Sequence, residues 1–337
     1  ALAAGPAAGI QGGPILLVQK GAVPSPTRTE IERLTGNSCS AIPPAGALTF
    51  TVAGDVGASD AATATLGLIA DLAPFAHFVT GDLSYNELKP ESGWCGYVRG
   101  IVGPSLPFEL ISGNHEDDGA GAEIRNFTKC LPDRLGAVGD YGVQYYTRLA
   151  GRVRIIAISP DLTVDGTAYT YKPGTSERTW LESAVAGARA QGEWVVIMHH
   201  KVCINAGEKS CNIGEELANW EAANADVVVM AHSHTYQRSY QLSCVNAGTV
   251  TKSCIADKDG DHQQGNGAVF VINGVGGKGN RPVNRSDSEA GYFAALLGTG
   301  DKDNGHGVMQ FSVSPTTLTG TFIGSDTSFT DSFTIRR

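Results

Sequence analysis

The chain has 337 residues, 42% hydrophobic and 18% charged, with 43 glycines. That composition belongs to a loop-rich globular protein and excludes a disordered one. A net charge of −9 without any lysine or arginine run makes nucleic acid and anionic membranes poor partners, and no apolar stretch approaches the ~20 residues of a membrane span, so no stable membrane anchor is expected.

Residues 1–46 are rich in Gly, Ala and Pro and read as an extended lead-in, with a short helix near "PTRTEIERL". The opening "ALAAGPAAGIQGG" has neither a charged n-region nor a long apolar h-region, which fits a mature start left after removal of a signal peptide. Residues 47–337 are expected to form one catalytic domain. Within it "LTFTVAGD" (48–55) predicts a strand, "SDAATATLGLIADLAP" (59–74) a helix and "AHFVTGD" (76–82) a strand. After an insertion come strands "PFELISGNH" (107–115) and "VRIIAISP" (153–160), helix "SERTWLESAVAGARAQ" (176–191), and strands "EWVVIMHH" (193–200) and "ADVVVMAHSH" (225–234). Continuous apolar strands broken by amphipathic helices predict an α/β sandwich with strands buried on both faces. The last third alternates and turns as antiparallel strands do, and can supply the second sheet.

Seven cysteines bear on the compartment. Cys203 and Cys211 bracket "CINAGEKSC", and Cys244 and Cys254 bracket "CVNAGTVTKSC"; short polar loops of this kind are commonly closed by disulfides. Cys95 and Cys130 are available for a third bridge, which leaves Cys39 free. No pair has C-x-x-C spacing, so the alternatives are structural disulfides in an exported protein or ordinary reduced thiols.

The chemistry sits at the strand tips. "AGDVG" ends on Asp55, "GDLSY" offers Asp82 and Tyr85, "GNHEDD" offers Asn114 and His115, "VVIMHH" offers His199 and His200, and "AHSH" offers His232 and His234. In open α/β sheets the ligand crevice lies outside the carboxyl ends of the strands, so oxygen and imidazole donors converge on one edge. Carboxylates, an amide carbonyl and imidazoles without thiolate suit Fe, Zn or Mn. There are more donors than one ion needs; two ions about 3.5–4 Å apart require a bridging carboxylate, for which Asp82 is the candidate. His115 follows a ligand directly and can face a leaving-group oxygen as general acid.

These segments stand as G-D-x-G, G-D-x-x-Y, G-N-H-E, V-x-x-H and a variant of G-H-x-H, in that order. Together they resemble the purple acid phosphatase branch of the calcineurin-like metallophosphoesterases, over roughly residues 48–335. The resemblance implies a central pair of β-sheets flanked by helices in four αββα layers. It implies one ion held by Asp55, Asp82, Tyr85 and His234, a second held by Asp82, Asn114, His199 and His232, and leaving-group protonation by His115. The tyrosinate of that branch binds ferric iron; iron with zinc, iron or manganese is expected, with a zinc pair as the alternative.

Three departures bear on the substrate. Ala231 replaces a glycine, "HHKVC" lacks a proline so that His200 stands as a possible substitute for His199, and no histidine lies between His200 and His232 where plant-type relatives face the substrate. His200 is otherwise expected beside the ligands or towards the substrate. Asp117 and Asp118 add negative charge next to His115, which points to small phosphodiesters bearing an ethanolamine- or choline-type head group. The alternatives are a broad acid phosphatase acting on phosphomonoesters and a non-catalytic metal- or phosphate-binding protein. His77 is expected in the core, Trp94 and Tyr97 in packing rather than the pocket, and "DKDGDHQQGNG" (257–267) as a solvated hairpin, since it lacks the glycine and closing Glu of a calcium loop.

Overall fold

The computed structural model describes residues 47–337. The lead-in, its short helix and Cys39 lie outside the described residues. The first half opens with β1 (Leu48–Ala53), α1 (Asp60–Leu72), β2 (Ala76–Thr80), α2 (Glu91–Val102), β3 (Phe108–Ile111) and α3 (Ile124–Cys130). Helix α1 begins where the Ser59 hydroxyl accepts the Ala62 amide proton, and buries Ala62, Thr65, Leu66 and Ile69, the i, i+3, i+4, i+7 face its sequence predicts. Then follow β4 (Val138–Asp140), β5 (Gln144–Leu149), β6 (Val153–Ala157), the hairpin β7 (Leu162–Val164) and β8 (Thr167–Tyr169), α4 (Ser176–Ala190), β9 (Trp194–Met198), α5 (Glu215–Asn224) and β10 (Val227–Met230). The last third is β-rich: β11 (Tyr236–Leu242), β12 (Ile255–Asp257), β13 (Asp261–Gln263), β14 (Ala268–Asn273), β15 (Phe293–Leu297), β16 (Gly307–Val313), β17 (Thr317–Gly324) and β18 (Thr330–Arg336).

Two sheets result. One has the order β13-β18-β17-β16-β1-β2-β3, with β1, β2 and β3 parallel and β16 antiparallel to β1. The other runs β12-β11-β14-β10-β9-β6-β5-β4, parallel from β14 to β6, with β15 also on β11. Side chains alternate between faces along each strand. In β9, Val196 and Met198 enter the core between the sheets with Phe50, Phe78 and Phe311, while Val195 and Ile197 face α4 and α5. Helices α1 and α2 cover the other face of the first sheet through Leu66, Ile69, Trp94 and Val98. The four-layer helix–sheet–sheet–helix sandwich is therefore as expected, and the C-terminal strands do join the sheets. The insertions 86–106 and 117–150 hold α2, α3, the edge strand β4 and its neighbour β5.

Disulfides join Cys95 to Cys130, Cys203 to Cys211 and Cys244 to Cys254. The first ties α2 to the end of α3; the others close the two polar loops. His77 is buried against the Thr51 hydroxyl at 2.9 Å, and Trp94 is buried with its indole N–H donated to Gly57 O at 2.8 Å. Tyr97 meets the Thr63 hydroxyl at 2.8 Å, away from the strand tips.

Candidate metal centre

Asp55, Asp82, His200 and His232 each lie two residues beyond a strand, after β1, β2, β9 and β10; Asn114 lies three beyond β3. Parallel neighbours put these tips on one edge. The chain must turn sharply there, and Asp55, Asp82, Tyr85, His232 and His234 all take positive φ between 40° and 66°. Left-handed backbone at non-glycine residues costs about 1–3 kcal/mol each and collects at functional sites. Glycine makes the close approach possible: a Cβ on Gly113 would sit 2.2 Å from Asp82 Oδ1.

The donors form two abutting groups. In the first, the Tyr85 hydroxyl donates to Asp55 Oδ1 at 2.6 Å and lies 2.9 Å from His234 Nε2, which is itself 3.2 Å from Asp55 Oδ1. In the second, His200 Nε2 is 3.2 Å from Asp82 Oδ2, 3.1 Å from Asn114 Oδ1 and 3.1 Å from His232 Nδ1. Donor atoms of Asp82, His200 and His232 all fall within 4.8 Å of one another. Asp82 touches both groups electrostatically, since its charge acts on Tyr85 and on His200.

His199 is not among them. Its Nδ1 meets Lys201 O at 2.7 Å and its Nε2 faces Glu221 of α5 at 3.3 Å, with both side chains fully buried. The reason is the pleat. His199 has the parity of Val195 and Ile197, whose face packs on helices, whereas His200 has the parity of Val196 and Met198. The structure thus does not bring His199 to the other donors and sets His200 among them, the substitution that the paired histidines allow. Asp55, Asp82 and His232 each stand two residues past a strand, as His200 does and His199 does not.

Asp117 and Asp118 also differ from expectation. Asp117 Oδ1 accepts the amides of Thr163 and Asp118 at 2.6 and 3.0 Å, and Asp118 accepts those of Asp165 and Gly166 at 3.0 and 2.7 Å. Their charge is spent on fastening the β7–β8 hairpin to the His115 loop, and neither lines the cleft at the metal donors. That cleft, about 380 Å³, is bordered instead by Lys209, Lys278 and Arg281 with His115. Lys209 comes from the loop closed by Cys203–Cys211 and steadied by Asn205, whose side-chain amide donates to Lys209 O at 2.6 Å. The segment 278–281 is pinned by Lys278 N to Asp55 O at 2.8 Å and Arg281 N to His234 O at 2.9 Å. Lys278 pairs with Glu87 and lies 4.5 Å over the Tyr85 ring; Arg281 pairs with Glu208 at 2.9 Å. No local pattern marked these three cations, which come from two separate loops.

Glu116 organises the loops beneath. Its carboxylate accepts from the amides of Asp82 (3.0 Å), Leu83 (2.9 Å) and Gly113 (3.0 Å), and the Asp82 carboxylate in turn accepts the His115 amide at 2.9 Å. The His115 ring remains 38% exposed, with Nε2 3.8 Å from Asp82 Oδ2 and its face 4.3 Å from the Tyr85 ring.

The electrostatics ask for positive charge. Burial pushes the His200 imidazole down, but the Asp82 carboxylate overrides it and lifts it to about 9, so a proton takes the place of a cation between them. Burial and the His200 charge press His232 down to about 2, which keeps it a neutral donor. Burial, Asp55 and Asp82 drive the Tyr85 phenol far up, so only a strongly charged cation can draw out the phenolate. The donor set thus fits a pair of hard to borderline ions, with oxygen and nitrogen ligands on both sides of Asp82.

A model of the calcineurin-like phosphoesterases matches residues 48–236. The chain belongs to that family. The chain is 25% identical over 272 residues to an uncharacterised protein of Mycobacterium tuberculosis, covering 75% of this chain and 51% of that one. It is 24% identical over 228 residues to purple acid phosphatase 18 of Arabidopsis thaliana, covering 65% of this chain and 51% of the relative. Its fold is similar to purple acid phosphatase PPD1 from yellow lupin seeds, with a TM-score of 0.62, 20% identity, and coverage of 87% of this chain and 54% of that one. The chain spans about half the length of the curated relatives it matches. No helix among the described residues is long and apolar enough to cross a membrane.

Proposed function

We propose that this phosphoesterase is an exported, binuclear-metal hydrolase that acts on phosphomonoesters. The observation that carries the choice is the trio Lys209, Lys278 and Arg281 around the cleft. A dianionic phosphate gains more from such cations than a monoanionic diester does. Asp117 and Asp118 do not line that cleft, so a cationic head group there would not meet their carboxylates. The purple acid phosphatases among its relatives agree with a monoester substrate. The three disulfides support an oxidising compartment.

In this reading Asp55, Asp82, Tyr85 and His234 hold one ion, and Asp82, Asn114, His200 and His232 the other. When bound, the ions supply Lewis-acid activation of the phosphoryl group and of the attacking water. Iron fits the side of Tyr85, and zinc, iron or manganese the other. Lys209 and Arg281 orient the phosphoryl oxygens. His115, open to the cleft and fixed through its amide to Asp82, donates the proton that the leaving oxygen needs.

The test is kcat/KM on an aryl phosphomonoester and the matching diester, with metals restored, for wild type and Lys209→Ala. A wild-type preference for the monoester that drops about tenfold in the variant is expected, roughly the loss of one charge-assisted contact. A wild-type preference for the diester, unaltered by Lys209→Ala, returns the phosphodiester reading.

A further inference from the structure

A second group of potential ligands lies outside the cleft, at the open edge of the sandwich. Strand β12 is the edge of one sheet and β13 the edge of the other, so residues 258–260 cross between the sheets. Asp257 ends β12, pairing with Gln241 of β11, and His262 sits mid-way along β13, opposite Ile335 of β18. Donor atoms of Asp257, Asp259 and His262 fall within 4.8 Å of one another.

The histidine makes this more than an acidic turn. His262 is fully buried, and neither ring nitrogen has a hydrogen bond among the described residues. A buried polar group left unmet is destabilising. Its Nδ1 points at Asp257 Oδ2 from 3.4 Å. Two donors each about 2.0–2.2 Å from a tetrahedral ion stand roughly 3.4 Å apart, so the spacing suits ligands sharing a metal. Asp257 Oδ1 accepts the Asp259 amide at 3.2 Å and Asp259 Oδ1 accepts the Asp261 amide at 2.8 Å, which fixes both carboxylates and leaves each a second oxygen.

The surrounding charges are turned elsewhere. Lys258 lies 5.1 Å over the Tyr240 ring, Asp261 pairs with Arg336 at 2.6 Å, and Arg238, whose charge reaches His262, is held by Asp331 at 2.6 and 2.8 Å.

We propose that Asp257, Asp259 and His262 form a separate divalent-metal site that ties the edge strands of the two sheets together. One imidazole and two carboxylates suit zinc or manganese better than calcium. The site shares no residue with the cleft, and its role is structural.

The test takes the protein with its catalytic metals loaded and titrates zinc by calorimetry and by thermal unfolding. Wild type is expected to bind one more zinc per chain than His262→Gln or Asp259→Asn. Zinc is expected to raise the Tm of wild type and leave that of the variants unchanged, with turnover on an aryl phosphate equal in all three. Should His262→Gln fail to fold, Asp259→Asn decides, because Asp259 is exposed. Equal zinc stoichiometry and an equal Tm response in wild type and Asp259→Asn overturn the proposal.

Discussion

Replacing Glu116 with Gln tests whether one buried carboxylate sets the whole metal edge. In the wild type its Oε2 takes two amides, from Asp82 and Gly113, and its Oε1 takes the Leu83 amide. A glutamine retains one oxygen, which best serves Asp82 and Gly113 together. Its NH₂ then meets the Leu83 N–H, donor against donor. One unmet buried donor costs about 1–3 kcal/mol, which lowers Tm by roughly 1–5 °C for a chain of this size. The larger effect is on the loops. The Asp82 and Gly113–Asn114 turns lose their shared anchor, and loss of such an outer contact weakens metal binding by about 10–100-fold. The assay is metal content and activity of the apo protein titrated with metal, in parallel with thermal unfolding. Activity at saturating metal should recover most of the wild-type kcat, since His115 and the cations are untouched. If Glu116→Gln binds metal as tightly as wild type and melts at the same temperature, the reasoning fails.

His200→Ala should release metal and abolish turnover, whereas His199→Ala should retain both ions and lose stability, because Glu221 is left buried without its partner; metal analysis of the two variants checks this, and the reverse pattern would restore His199 as the ligand. His115→Ala should cut kcat by about 10²–10⁴-fold with both metals still bound, measured by steady-state kinetics beside metal content. Two buried groups tilt stability with pH in opposite senses. Burial lowers His77 from 6.5 to about 3, so its share of stability is present above 6.5 and is lost as pH falls towards 3. Burial raises Glu109 from 4.5 to about 7, so its share is present below 4.5 and is lost as pH rises towards 7. Each slope is about 1.4 kcal/mol per pH unit. Urea unfolding between pH 5 and 6.5 should therefore show His77→Gln losing stability relative to wild type as pH rises, and Glu109→Gln gaining it; parallel profiles would exclude both groups.

Much of this was legible because strand tips are simple objects. An apolar run such as "AHFVT" has to be a buried strand, and a Gly-Asp directly after it has to be a turn, so Asp55, Asp82 and His232 could be placed near one edge from sequence. The order of the five segments carried the family. What failed was local geometry. Choosing between His199 and His200 needed the face on which each lands, and the strand was predicted to run to residue 200 when it stops at Met198. Asp117 and Asp118 looked like a charged rim because a sequence does not say whether a carboxylate faces solvent or an amide. Their partners, the amides of residues 163–166, lie more than forty positions away. The helices α2 and α3 were hidden for another reason. Helix α3 is only seven residues long, and α2 contains three glycines, Gly93, Gly96 and Gly100.

Net charge and cleft bear differently on the substrate. A net charge of −9 describes the field far from the molecule, where it argues against polyanions. It says nothing of a cleft a few ångströms wide, where the near charges of Lys209, Lys278 and Arg281 act at short range. Lys209, Lys278 and Arg281 stand up to 72 positions apart and meet only because a disulfide-closed loop and the segment pinned to Asp55 and His234 converge on the same edge. The metal ligands themselves position that segment, through the Asp55 and His234 carbonyls. Substrate recognition and metal binding are thus built on one backbone, and a change that loosens the ligand turns should also scatter the cations. The Glu116→Gln variant, assayed below metal saturation, should accordingly show a raised KM for the monoester as well as a lost ion.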